Sequence, residues 1–307
     1  MIDASRHPAL ARIVGTVLDV WPDHARFLDQ SLAGRNAELM QATERLAAIV
    51  ARIAAATGSL TETCEDYSLL CRCLMEEELH FRRHGAYRLS RFEDAVAEVY
   101  ANATFMARYM NFLLASYVLW ENHARAIVHF QTRYLPPLPP GAAHLEIGPG
   151  HGLLLHLAAA STNVASATGW DISATSIART RACLAAMDAP SVTLVEQNLF
   201  AGAADRRFDS VVLAEILEHL EDPIAALKAV AGHMNPGARL WVHVPVNSPA
   251  PDHIYLLRTP EEAVNLVRAG GFEPTDVAFF PMSGQTLERA RKRALTISAV
   301  VSARRVN

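Results

Sequence analysis

Apolar positions recur along this chain in two rhythms. Residues 24–57 are rich in Ala, Leu and Arg and read as a helical run ending at Gly58. In "RYMNFLLASYVLWENHARAIVHF" the positions Tyr109, Phe112, Leu113, Ser116, Trp120, His123 and Ile127 return at helical spacing. Beyond residue 142 the pattern changes to short β-rich runs. They are "HLEIG" 144–148, "SATGWD" 166–171, "VTLVEQN" 192–198, "DSVVLAE" 209–215, "RLWVHVPV" 239–246, "TDVAFFP" 275–281 and "LTISAVVSA" 295–303. Helical segments separate these runs, which predicts parallel pairing through right-handed crossovers.

The two patterns meet at "YLPPLPPGA", residues 134–142, where four prolines fall in five positions and forbid a continuous helix. We read this stretch as a stiff spacer. It divides the chain into an all-α domain, 1–135, and an α/β domain, 136–307.

Composition narrows the partners. The chain has 307 residues, is 51% hydrophobic and 20% charged, and has a net charge of −4. Only Lys228 and Lys292 among its 28 basic residues are lysine, and no basic stripe offers itself to phosphates, so nucleic acid is not an expected partner. The start, "MIDASRHPAL", lacks a signal pattern, and the most apolar stretch, 112–120, is about half of what a bilayer span needs. A cytoplasmic location without membrane attachment is therefore expected. Cys64, Cys71 and Cys73 crowd "CEDYSLLCRC", but C-x6-C-x-C lacks the close pairing of common zinc sites, so they and Cys183 read as reduced thiols.

The candidate chemistry begins at "HLEIGPGHGLLLHL", 144–157. A dinucleotide fingerprint requires G-x-G-x-x-G, and Leu153 stands where its third glycine belongs. The spacing is instead E-x-G-x-G-x-G from Glu146 through Gly148, Gly150 and Gly152. A loop of this kind brings bare backbone to a ligand outside the carboxyl ends of the strands.

Over residues 140–303 the motifs that follow resemble, in order, those of the class I S-adenosylmethionine-dependent methyltransferases. "LEIGPGHG" looks like their glycine-rich first motif, and in "ATGWDIS" Asp171 ends the second strand, where the family holds the ribose hydroxyls. "VEQNLF" has Asn198 where Asp usually stands beside the adenine amino group; its carbonyl can accept the same bond. "FDSVVLAEILEHLEDP", "MNPGARLWVHVP" and "PEEAVNLVRAGGF" complete the series. The resemblance implies a Rossmann-like, seven-stranded, doubly wound α/β sheet and S-adenosylmethionine as co-substrate. It assigns Glu146, Gly148, Gly150, Gly152, Asp171, Ile172, Asn198, Leu199 and Glu215 to the cofactor. Tyr117, one turn before Trp120 on the last helical run, is placed at the methionine end of that pocket, with Asn122 and His123 nearby on the same run.

For the reacting group, "EILEHL" sets Glu215, Glu218 and His219 at helical spacing, so all three are predicted to share one helical face. The segment resembles the E-x-x-E-H of ubiquinone-type O-methyltransferases and of small-RNA ribose methyltransferases, which implies a divalent metal completed by His253. Three readings of His219 stay open: metal ligand, metal-free general base or packed structural residue. We carry forward the second, with His219 and His253 as the catalytic pair and no metal assigned. His243 reads as a buried strand residue and His151 as a cap for the helix after the glycine loop.

Substrate class follows from what is missing. No N/D-P-P-Y/F/W tetrapeptide follows the fourth strand, where "LAEI" stands, so nucleobase and glutamine-amide methylation are not expected. A small molecule of specialised metabolism remains, methylated on O or N. The helical half resembles the lids and dimerisation domains of natural-product methyltransferases, which implies a homodimer. Two other classes are compatible: an alkyl-transferring or cyclising user of the same cofactor, and a non-catalytic scaffolding subunit.

Overall fold

Capping residues explain where most helices begin. A computed structural model describes residues 2–189, 191–201 and 206–306. The chain divides into two units: Met1–Val128 with Ser248–Ile254 and Phe280–Thr296, and His129–Asn247 with Tyr255–Phe279 and Ile297–Asn307.

The first unit is helical, with α1 Pro8–Val20, α2 Ala25–Ala33, α3 Ala37–Thr57, α4 Leu60–His84, the single turn α5 Phe92–Ala95 and α6 Ala103–Leu119. Leu10, Ile13, Leu46, Val50, Ile53, Leu70 and Phe112 fill its interior. The predicted 24–57 run is not one helix. Gly34 and Arg35 interrupt it, and Asn36 restarts it by accepting from the Leu39 N–H at 2.9 Å. Ser59 caps α4 in the same way through Glu62 N–H. At the start of α1 the Ala9 and Leu10 N–H groups donate to the two oxygens of Glu44 at 2.8 and 2.9 Å, which satisfies donors that helix geometry leaves open. The 108–130 run is likewise broken, because Trp120 leaves helical geometry between α6 and α7 Glu121–His129.

The second unit is the sheet. Its strands are β1 Ala142–Ile147, β2 Val164–Asp171, β3 Val192–Glu196, β4 Phe208–Ala214, β5 Met234–Val246, β6 Phe272–Pro281 and β7 Ile297–Arg305, in the order β3-β2-β1-β4-β5-β7-β6. Between them run α8 Leu153–Ala159, α9 Ala174–Ala186, α10 Pro223–Gly232 and α11 Pro260–Ala269, while α12 Leu287–Arg293 falls in the helical unit. There Arg82 of α4 donates to the carbonyls of Arg293 and Ala294 at 2.7 and 3.0 Å. Val211, Val212 and Leu213 are fully buried in succession, as expected of a strand covered on both faces.

One expectation about the sheet fails. The β1, β2, β3, β4 and β5 pairings are parallel, but β7 runs antiparallel to β5, with Trp241 opposite Ser302 and Val246 opposite Ile297. A helix between two strands does not force a parallel crossover: β7 enters between β5 and β6, on the edge of β5 that β4 leaves open. The proline stretch is held against the sheet unit. Tyr134 is fully buried, its hydroxyl bonded to Ser210 at 2.8 Å and to the Arg239 carbonyl at 2.9 Å, and Leu135 and Leu138 are buried with it. These contacts fasten the segment to the sheet unit.

Candidate cofactor and methyl-transfer site

Parallel strands end together, and their carboxyl ends collect the residues with unusual backbone. Register sets Ile147 of β1 beside Trp170 of β2, so Gly148 and Asp171 leave the sheet as neighbours; the Gly148 N–H donates to the Trp170 carbonyl at 2.8 Å. Gly148 has φ +62°, and a Cβ there would lie 2.4 Å from Ile216 Cδ1. Gly152, at φ +72°, would set a Cβ 3.0 Å from Leu184. Both positions thus need glycine for conformation and for space. Gly150 shares the left-handed region, and its carbonyl accepts from Thr180 Oγ1 at 2.6 Å, which ties the loop to α9. The N-cap position expected of His151 falls instead to Gly152, with α8 starting at Leu153, while His151 is buried inside the loop.

Electrostatics single out two carboxyls. Glu146 is 3% exposed; burial drives its carboxyl well above the ordinary range, although the Leu155 N–H opposes this. Its Oε2 has no hydrogen-bond partner among the described residues. Asp171 is half-buried, and burial raises it against the N–H groups of Ser173, which donates to Oδ1 at 2.9 Å, and Ile172. Ile172, 62% exposed, follows it directly. Asn198 is exposed, and its Oδ1 already accepts the Phe200 N–H at 2.9 Å, so the bond foreseen for adenine would have to use the oxygen's second lone pair. Leu199 is buried, and its carbonyl meets His233 Nε2 at 3.3 Å. Phe200, 55% exposed, was not singled out in the sequence. An apolar residue directly behind the third strand was the available signal.

The segment after β4 corrects the helical reading. Only Leu217–His219 form a single 3₁₀ turn, and Glu215 precedes it with φ +54°. Glu215 therefore shares no helical face with Glu218 and His219. It turns to strand β5, where the register sets Ala214 beside His243, and Glu215 Oε1 lies 3.2 Å from His243 Nε2. His243 is buried as expected, yet it has a carboxylate at its ring. Glu218 is 1% exposed and its Oε1 lies 3.8 Å from Nε2 of His219. Carboxylate and imidazole are donors suited to a divalent ion, so Glu218 and His219 remain competent for one.

Two of the expected site residues lie in the helical unit. Tyr117 is on α6, half-buried, its ring 6.3 Å from that of His123. His123 Nδ1 meets Ser116 Oγ at 2.9 Å, and burial pushes its imidazole down to about 4. His253 belongs to 248–254, the stretch after β5 that joins the helices. Its Nδ1 donates to the Ser248 carbonyl at 2.6 Å, and Tyr87, whose hydroxyl accepts the Ser248 N–H at 3.0 Å, has its ring tilted against the imidazole at 5.9 Å. Asp252 beside it accepts from the Tyr109 hydroxyl at 3.0 Å and the Tyr100 hydroxyl at 3.3 Å.

Comparison with known proteins agrees with this geometry. Residues 119–294, more than half of the chain, match the family described as a methyltransferase domain, and the chain belongs to that family. Its fold and the order of its motifs are those of the class I S-adenosylmethionine-dependent methyltransferases. Among solved structures, the S-adenosylmethionine-dependent methyltransferase SibL in its apo form is similar over 81% of this chain and 74% of its own, with 14% identity and a TM-score of 0.54. The pyocyanin biosynthetic protein PhzM is similar over 80% of this chain and 72% of its own, with 18% identity and a TM-score of 0.53. At these identities the likeness is one of fold. No curated protein matches the chain. Among the described residues no helix is long and apolar enough to cross a membrane.

Proposed function

We propose that this protein transfers the methyl group of S-adenosylmethionine to an oxygen or nitrogen of a small molecule. The observation that carries the proposal is the left-handed glycine loop at the end of β1 lying next to the Asp171 carboxylate at the end of β2. In this reading Asp171 accepts both ribose O–H groups, Ile172 and Leu199 give apolar surface to the adenine, and Asn198 accepts from its amino group. Glu146 and the loop backbone receive the methionine end, where a cation would draw the buried carboxyl toward ionisation. Glu215 belongs to the same set, held by His243.

The sulfonium carries an activated methyl group, so the enzyme mainly aligns a nucleophile, a contribution of roughly 7–11 kcal/mol for well-oriented reactants. The nucleophile's lone pair forms the new bond, the carbon–sulfur bond electrons stay on sulfur as S-adenosylhomocysteine, and a base removes the proton. We assign that base to His219, with His253 as the second catalytic histidine, substrate choice to the helical domain, and Tyr117 to the methionine end of the cofactor. The experiment is incubation with labelled S-adenosylmethionine and metabolite extracts. S-adenosylhomocysteine with a labelled small molecule supports the reading; methylthioadenosine would indicate alkyl transfer, and no turnover despite cofactor binding a scaffolding role.

A further inference from the structure

Helix α4 carries an outward stripe that its own fold does not use. Along one face, at steps of three and four residues, stand Glu65, Leu69, Arg72, Glu76, Leu79 and Arg83, and all six are exposed. Leu69 is 37% and Leu79 57% exposed, and Met75 at 53% flanks the stripe, so one helix holds three of the eight exposed large apolar side chains among the described residues. The opposite face, with Cys64, Tyr67, Leu70 and Cys71, is the one turned to the core. Among the described residues no ion pair joins Glu65, Glu76 or Arg83 to another side chain, while the Arg72 guanidinium is steadied over the Trp21 ring at 5.8 Å.

The order of these residues is self-complementary. We propose that α4 is a homodimer interface in which two copies of this helix pack antiparallel about a two-fold axis level with Leu74. In that register Leu69 meets Leu79 of the second copy, Arg72 meets Glu76, and Glu65 meets Arg83, each pair occurring twice. An isologous contact requires this kind of self-complementarity, and charges flanking an apolar seam set partner and orientation. The alternatives fail on charge. A parallel in-register pair sets every charge against its own copy. An antiparallel pair slipped by one turn sets Arg72 against Arg72 or Glu76 against Glu76. A single helix pair with two leucine contacts is a small interface, so the dimer is of the weak class. The proposal is independent of the methyl-transfer reading.

The test is sedimentation of the full chain across the micromolar range, with charge reversals at exposed positions that leave the core untouched. The wild type should show a monomer–dimer equilibrium. Arg72→Glu and Glu76→Arg should each raise the dissociation constant by at least about tenfold, because like charges then meet twice. The double variant Arg72→Glu/Glu76→Arg should return to within about threefold of wild type, since the two changes couple only across the interface. A wild type that stays monomeric into the hundreds of micromolar overturns the proposal. So does a dimer indifferent to the single reversals, or a double variant no tighter than either single one.

Discussion

The two units treat buried polar groups in opposite ways. In the helical unit they are closed on one another: Asp252 takes two tyrosine hydroxyls, Asp66 takes the Asn111 amide at 2.8 Å, and Arg35 is held by Ser31 and Thr43. Such bonds fix helices in place. In the sheet unit the carboxyls gather at strand ends, and one buried there, Glu146, keeps an oxygen without a partner among the described residues. A buried acceptor left open is costly unless something else supplies the donor. The contrast separates the positions where mutation should change stability from those where it should change binding: helical polar groups belong to the first, strand-end groups to the second.

The largest expected effect tests the strand-end side of that contrast. His219→Ala should lower kcat by about 10²–10⁴-fold if the imidazole takes the proton, while cofactor affinity and melting temperature stay near wild type. Chelators should leave the wild type unchanged. Inhibition by chelators, reversed by Mg²⁺ or Mn²⁺, would instead make Glu218 and His219 metal ligands, and a loss that follows thermal stability would make His219 structural.

Acid should strike the helical unit next. Burial holds His24 and His123 at about 4, below the ordinary imidazole value near 6.5. As pH falls the unfolded chain therefore takes up protons first. The stability from these neutral rings is fully present above about 6.5 and is lost as pH drops toward about 4, at most about 3 kcal/mol for each. Glu146 works the other way in the sheet unit, because a raised carboxyl gains relative stability as it protonates. Trp21 stacks on His24 at 3.9 Å and Trp120 lies 4.9 Å from His123, so tryptophan fluorescence during chemical denaturation reports on this region. A pH-independent midpoint between 6.5 and 4 would contradict the assignment.

Asp171→Ala should weaken S-adenosylmethionine binding by roughly 1.5–3 kcal/mol, the scale of hydrogen bonds to a charged group. Calorimetric titration measures this directly. Unchanged affinity in a folded variant would remove Asp171 from the ribose site and with it the motif assignment.

Much of this was legible in the sequence for a specific reason. The strand runs and the glycine spacing are local patterns, and local patterns survive folding: Gly148 and Gly152 sit where only glycine fits, and all seven β-rich runs contain a strand. What required the third dimension was pairing between distant segments. No spacing within "EILEHL" reveals that Glu215 turns to His243, because their proximity comes from the β4–β5 register. Helical periodicity also overran the breaks at 34–36 and at Trp120, since an interrupted helix keeps its apolar rhythm on both sides. The antiparallel β7 is likewise set by which edge of β5 is open, which no run of residues encodes alone.

The smallest predicted effect completes the contrast from the helical side. Asn36 sits at the start of α3 with extended backbone, and its Oδ1 accepts the Leu39 N–H at 2.9 Å. Replacing it with alanine leaves that donor to water and frees the loop that breaks the 24–57 run. The expected cost is about 1 kcal/mol of stability, typical of a lost N-cap. Affinity for S-adenosylmethionine should not change, whereas Asp171→Ala should change affinity with little effect on stability. Denaturant midpoints and titrations on both variants therefore form a crossed pair. If Asn36→Ala lowered cofactor affinity at a concentration of denaturant where it is fully folded, the α3 cap would be taking part in binding through backbone order, and the separation of stabilising helical polar groups from binding strand-end groups would fail.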